Sequence, residues 1–146
     1  MITIRPATAE DVLALHGLVA ELAAYVNASD QFTATLDAYR TDFADGFYHA
    51  LVAEDDGTVV GMALYYYVYS TWKGRMVYLE DFVLTPSHRR RGIGQQLWDA
   101  LKNTARQRGC KLLKWQIVDT NTEALKFYAA QEAIIETDWL NGKLFL

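Results

Sequence analysis

The chain has 146 residues, 51% of them hydrophobic and 22% charged, which is enough for one domain, residues 1–146, with a real core. Its formal net charge of −4 argues against nucleic acid as a general partner, because binding a phosphate backbone needs a basic field, and is compatible with a cationic small molecule. The lone cysteine, Cys110, excludes an internal disulfide; no basic-then-apolar leader opens the sequence, and the apolar run at 59–69 is too short for a bilayer, so a cytoplasmic protein without membrane contact is expected.

Residues 2–5 read as a short strand stopped by Pro6. Thr8, with Asp11 three residues on, predicts a capping box opening a helix, along which Val12, Leu15, Val19, Leu22 and Val26 recur at helical spacing. Residues 32–43 form a weaker helical segment, read as a lid or substrate-side element. The runs at 48–53 and 59–69 are strands joined by a turn at Asp56-Gly57. A third strand at 76–84 ends at Thr85-Pro86. A helix follows from about Gly92, with Ile93, Leu97, Leu101 and Ala105 on one stripe and Gly109 as its stop. Residues 111–118 predict another strand, Asp119 to Asn121 cap a helix reaching about Ala130, and short strands at 137–140 and 143–146 finish the chain. This order makes an α+β fold with a mixed, mostly antiparallel sheet and helices on both faces.

Between the third strand and its helix lies RRRGIG. A helix start leaves backbone N–H groups unpaired and carries partial positive charge, and glycines let a ligand approach the backbone closely. With arginines added, the turn becomes a cradle for phosphate or pyrophosphate. A dinucleotide fingerprint needs a third glycine where Leu97 stands, and the lysine of a P-loop is missing. Arg89, Gly92 and Gly94 instead match [RQ]-x-x-G-x-[GA], the acyl-CoA loop of the GCN5-related N-acetyltransferases. The resemblance extends from IRPAT near the start to NTEALKFY near the end. Within that superfamily, GMALYYYVYSTWKGRMVYLEDFVL resembles the diamine (spermidine/spermine-type) branch.

The resemblance implies acetyl-CoA as cofactor, held by Arg89, Arg90, Arg91, Gly92, Ile93, Gly94 and Gln95 at the turn. Backbone groups of Phe82, Val83 and Leu84 would pair with the pantetheine arm, where the strands at 76–84 and 111–118 diverge. Asn121 and Ala124 would contact the cofactor from the late helix, and the branch implies a homodimer.

Acetyl transfer to an amine needs a base, because a free alkylamine has a pKa of roughly 10, together with N–H donors for the oxyanion and an acid for the thiolate. Glu80 and Asp81 are adjacent carboxylates inside an apolar strand, where charge is costly unless paired or facing a wet cleft. Strict alternation places Tyr78, Glu80 and Phe82 on one face and Leu79, Asp81 and Val83 on the other. Either carboxylate also reads as half of a structural ion pair. The resemblance implies Glu80 as the base, through a water, with Asp81 on the substrate side or in support. Tyr128 shares a helix face with Asn121, Ala124 and Leu125 and on residues alone reads as core; the resemblance implies that it protonates the coenzyme A thiolate.

The aromatic run Tyr65, Tyr66, Tyr67, Tyr69 and Trp72 offers ring faces for an alkylammonium, with core or dimer contact as the other reading. Tyr25 belongs with the substrate by resemblance. It is followed by Val26 where the branch carries an acid, which leaves short amines and basic amino acids, thialysine-like ones included, open. Cys110 lacks a neighbouring base, His88 reads as a solvent-facing turn residue, and the other histidines, His16 and His49, are scattered. The expected activity is acetylation of a small cationic amine by direct attack in a ternary complex. Alternatives are a protein N-terminal (ribosomal-type) acetyltransferase and a non-catalytic acyl-CoA-binding module. A final departure is Glu132, where a glycine is usual; glutamate adopts a left-handed helix stop less readily.

Overall fold

Five strands form one sheet in the order β1-β2-β3-β4-β5. The structure, a computed structural model, describes residues 1–146 and divides into two units, Met1–Trp115 and Gln116–Leu146. The first holds β1 (Ile2–Pro6), α1 (Val12–Tyr25), α2 (Leu36–Ala44), β2 (His49–Asp55), β3 (Thr58–Ser70), β4 (Gly74–Leu84), α3 (Ile93–Gln107) and β5 (Leu112–Trp115). The second holds α4 (Thr122–Ala130). No helix is long and apolar enough to cross a membrane.

Neighbouring strands from β1 to β4 are antiparallel, and β5 joins β4 in parallel. The β2–β3 turn is made by Asp56 (φ 46°) and Gly57 (φ 87°), the double positive φ that matches the twist of a two-residue hairpin. Side-chain alternation then sorts the core. Ala50, Val52, Met62, Leu64 and Val83 meet Leu15 and Leu18 of α1 on one face. The opposite face carries Leu51, Ala53, Ala63, Val77 and Leu79, and the buried stripe of α3 (Ile93, Leu97, Leu101, Ala105) packs there.

The start of α1 is tied to the sheet by charge. The Arg5 guanidinium donates to both oxygens of Asp11, at 2.8 and 3.0 Å, and to Glu54 Oε2 at 2.6 Å. Asp11 also accepts from the Thr8 backbone N–H at 2.7 Å, completing the capping box. One arginine thereby fastens β1, β2 and the helix entry, and its hydrogen bonds hold the Asp11 carboxyl below the usual carboxylate range.

Several elements depart from the sequence expectation. The second helix begins at Leu36, because Thr35 caps it by accepting from the Ala38 N–H at 3.1 Å, and residues 29–31 form a short 3-10 turn instead. β5 covers four residues rather than eight, since strand character requires a partner and the β4 ladder stops at Leu79↔Trp115. The expected strands at 137–140 and 143–146 are absent. The local contacts there are side-chain bonds: Trp139 Nε1–H donates to Glu136 at 2.8 Å, and Gln116 donates to Asn141. Glu132 itself takes the left-handed stop after α4 (φ 61°), and Ala133 N–H returns to Tyr128 C=O at 3.2 Å.

Candidate active site

β4 does not keep a strict alternation. Its register against β3 passes from Asp81↔Leu64 directly to Leu79↔Tyr65, so Glu80 is an extra residue, a β-bulge in mid-strand. The bulge resets the side-chain parity. Tyr78 stacks on Tyr66 at 5.4 Å, and Phe82 meets Trp98 of α3 edge-on at 6.2 Å on the other side of the sheet. The expectation that Glu80 and Asp81 occupy opposite faces is therefore corrected. Both line one cleft of about 590 Å³ on the α1 side.

The cleft walls come from α1 (Val19, Leu22), the α1–α2 connection (Phe32), α2 (Tyr39, Asp42), and the strands. The segment at 32–43, read from sequence as a lid or substrate-side element, supplies Phe32, Tyr39 and Asp42 to this lining. Within it the Tyr66 hydroxyl donates to Glu80 Oε2 at 2.7 Å. Burial, then the neighbouring Glu80 charge, pushes the Asp81 carboxyl up to about 6. Burial and the charge of Asp81 also push the Tyr39 phenol up to about 12. No lysine, arginine or histidine lines the cleft.

Of the aromatic run, only Tyr66 faces this space. Tyr65 and Tyr67 lie on the α3 side against His49, at 5.7 and 5.3 Å, and the Arg108 guanidinium sits 4.5 Å over the Tyr67 ring. Trp72 is in the β3–β4 turn with 81% of its surface exposed, outside the cleft lining. Of the other rings that line it, Phe32 and Tyr39 come from the weaker helical segment, Phe47 from the link after it, and Tyr48 from the start of the run at 48–53. The Tyr25 ring packs beside Arg89, whose guanidinium lies 5.5 Å from its centroid.

The arginine-glycine turn bends twice through left-handed backbone before the helix starts. Arg90 (φ 59°) and Gly92 (φ 79°) are both left-handed, and Gly92 is the N-cap residue of α3. A Cβ on Gly92 would meet no atom within 4 Å, so glycine is used there for its φ, not for lack of room. Arg89 turns back so that its Nε–H donates to Leu84 C=O at 3.1 Å, while Arg90 and Arg91 are exposed. Gln95 donates to Asp99 at 3.1 Å along the helix. His88 is not solvent-facing as expected: Nε2 lies 3.0 Å from Asp55 and Nδ1 lies 2.8 Å from the Ser87 hydroxyl, locking the approach to the turn onto β2. β4 from Asp81 to Leu84 pairs with β3 alone, because the ladder with β5 has ended. The N–H groups of a helix start, guanidinium charge and a strand edge with one neighbour form a donor set that fits a phosphorylated ligand with an amide-bearing arm.

Asn121, Ala124 and Tyr128 lie in the second unit. Asn121 caps α4, its side-chain oxygen accepting from Ala124 N–H at 3.1 Å. Burial pushes the Tyr128 phenol up to about 12, so it stays protonated across the physiological range.

The profile of the family described as acetyltransferase (GNAT) matches residues 14–132. Among curated proteins, the thialysine N-epsilon-acetyltransferase of Bos taurus is 39% identical over 139 residues, covering 88% of this chain and 82% of the relative. The spermidine/spermine N(1)-acetyltransferase-like protein 1 of Homo sapiens is 31% identical, covering 90% of this chain and 20% of its own length. Among solved structures, an aminoglycoside N-acetyltransferase in complex with CoA superposes with a TM-score of 0.79 at 22% identity, over 99% of this chain and 95% of the other.

Proposed function

The chain belongs to the GNAT acetyltransferase family and is an acetyl-CoA-dependent N-acetyltransferase, and from that premise we propose that its substrate is a small basic amino acid or polyamine. One observation carries the substrate reading: a cleft walled by aromatic rings and by the carboxylates of Glu80, Asp81 and Asp42, with no cationic side chain among its lining. Such a space favours an ammonium through charge and through ring faces. The relatives that act on thialysine support the same class.

Acetyl-CoA supplies the thioester, and the chain supplies binding and proton transfer. The turn at Arg89, Arg90, Arg91, Gly92, Ile93, Gly94 and Gln95 takes the phosphates, with Asn121 and Ala124 as further cofactor contacts. Backbone groups of Phe82, Val83 and Leu84 take the pantetheine arm. Glu80, held by the Tyr66 hydroxyl at 2.7 Å, accepts the amine proton through a water. Tyr128, kept protonated by burial, returns a proton to the departing thiolate. Tyr25, expected at the substrate, packs beside Arg89 of the cofactor turn, and neither it nor the exposed Trp72 is among the cleft lining.

The family match crosses from the first unit into the second, which supports treating 1–146 as one catalytic domain. We also propose a cytoplasmic homodimer, supported by the exposed Trp139, Leu140, Leu144 and Phe145. Light scattering at micromolar concentration tests the dimer. Thiol release from acetyl-CoA, screened over basic amino acids, diamines and peptides, tests the substrate class. Turnover of peptides alone would replace it with protein N-terminal acetylation.

A further inference from the structure

Asp42 breaks a local rule without a local reason. It stands in the last turn of α2, where the helix dipole already places partial negative charge and a carboxylate is unfavourable. It is exposed to solvent at the cleft, and no cation or hydrogen-bond donor of the chain meets its side chain. Charges placed against their helix and left unpaired belong to functional surfaces more readily than to structural ones.

Its surroundings say what would pair with it. Asp42 lines, from α2, the cleft that Glu80 and Asp81 line from β4, and the Tyr39 and Tyr48 rings line it with them. Tyr39 and Tyr48 lie 5.7 Å apart, joined by the Tyr48 hydroxyl donating to Tyr39 C=O at 2.7 Å. Besides burial, the Tyr39 phenol feels the charges of Asp81 and Glu80, whereas the Tyr48 phenol feels that of Asp42. Acidic groups from α2 and from β4 thus share one cleft with a pair of packed rings. We propose that Asp42 is a specificity residue that holds a second cationic group of the substrate while the reacting amine lies at Glu80 and Asp81.

This rests on the small-amine acetyltransferase reading above. It adds the residue that reads the second charge: the distal ammonium of a diamine, or the α-ammonium of a basic amino acid, pairs with Asp42. The site reads charge and not only length, because a rod of the same length without the second charge would leave Asp42 unpaired.

The test compares 1,5-diaminopentane, lysine, n-pentylamine and 6-aminohexanoate as acceptors, by initial rates of thiol release at saturating acetyl-CoA. The wild type is expected to favour diaminopentane and lysine. In Asp42→Asn the ratio of kcat/KM for diaminopentane over pentylamine should fall roughly 10-fold, the size of one charge-assisted contact, through KM and not kcat. Asp42→Lys should move the preference toward 6-aminohexanoate, whose distal group is a carboxylate. Thermal melts of both variants separate misfolding from altered choice. An unchanged ratio in Asp42→Asn, or no shift toward the carboxylate in a folded Asp42→Lys, overturns the assignment of Asp42 and leaves the acetyltransferase reading standing. A wild type that acetylates none of the four amines but does acetylate peptides overturns both.

Discussion

Carboxylates gather at both ends of α1, and they are treated in opposite ways. Before its first turn, Asp11 and Glu54 close on Arg5, and the pairing lowers the Asp11 carboxyl. Along its last turns, Glu80, Asp81 and Asp42 face a cleft with no cation, and Asp81 is raised to about 6. The first group contributes stability through partners the chain provides. In the second, the raised Asp81 carboxyl weakens the fold at neutral pH, and the group is positioned for a partner that arrives from outside. Exchange of single residues should therefore separate stability from activity.

The largest difference is expected at Glu80. Glu80→Gln should lower kcat by roughly 100- to 1000-fold near neutral pH, the range for lost general-base help, with little change in melting temperature. The loss should shrink at high pH, where free amine is plentiful; a rate equal to wild type at pH 7 would remove Glu80 from the mechanism. Arg5→Met should do the reverse. Leaving two carboxylates without their cation costs about 2–4 kcal/mol in urea unfolding, while turnover of the folded fraction persists.

Asp81→Asn sharpens the contrast through pH. A carboxyl whose folded value is raised contributes stability that is fully present below its unfolded range, near 3.8, and is lost as pH rises through about 6. Asparagine escapes that loss. The variant should be more stable than wild type by about 1–3 kcal/mol at pH 8, with the gain vanishing near pH 4, and it should bind the amine less well. Asp11 runs the other way: its contribution is present at neutral pH and falls away as acid protonates it below the usual carboxylate range. The smallest effect is expected for Tyr66→Phe, which keeps the ring stacked on Tyr78 and removes only the donor to Glu80. A 3- to 10-fold fall in kcat with an unaltered KM for acetyl-CoA is expected from steady-state kinetics.

What the sequence disclosed was local. The Thr8–Asp11 box, the Asp56-Gly57 hairpin and the α3 stripe between Gly92 and Gly109 are each written within a few residues, and all three stand in the structure. What it hid depended on distant partners. Arg5 and Glu54 are 49 positions apart, and nothing near either one signals the pair. The cleft rings on α2 and its flanks follow no strong period. The bulge at Glu80 is invisible in β4 alone, because an extra residue exists only relative to the strand beside it. Two expected terminal strands failed for the same reason: alternation proposes a strand, but pairing makes one.

That bulge gives Glu80 a second property, separate from its charge. It is the residue that keeps two stretches of β4 in different phases, so that Leu79 and Phe82 both face α3 while Tyr78 and Asp81 both face α1. Replacing Glu80 alters a functional group; deleting it alters a reading frame. Without that one residue the strand would pair continuously with β3, and the two carboxylate positions and the ladder against β5 could not all keep their present places. Insertions and deletions of a single residue between 79 and 81 should therefore be far less tolerated than any substitution there.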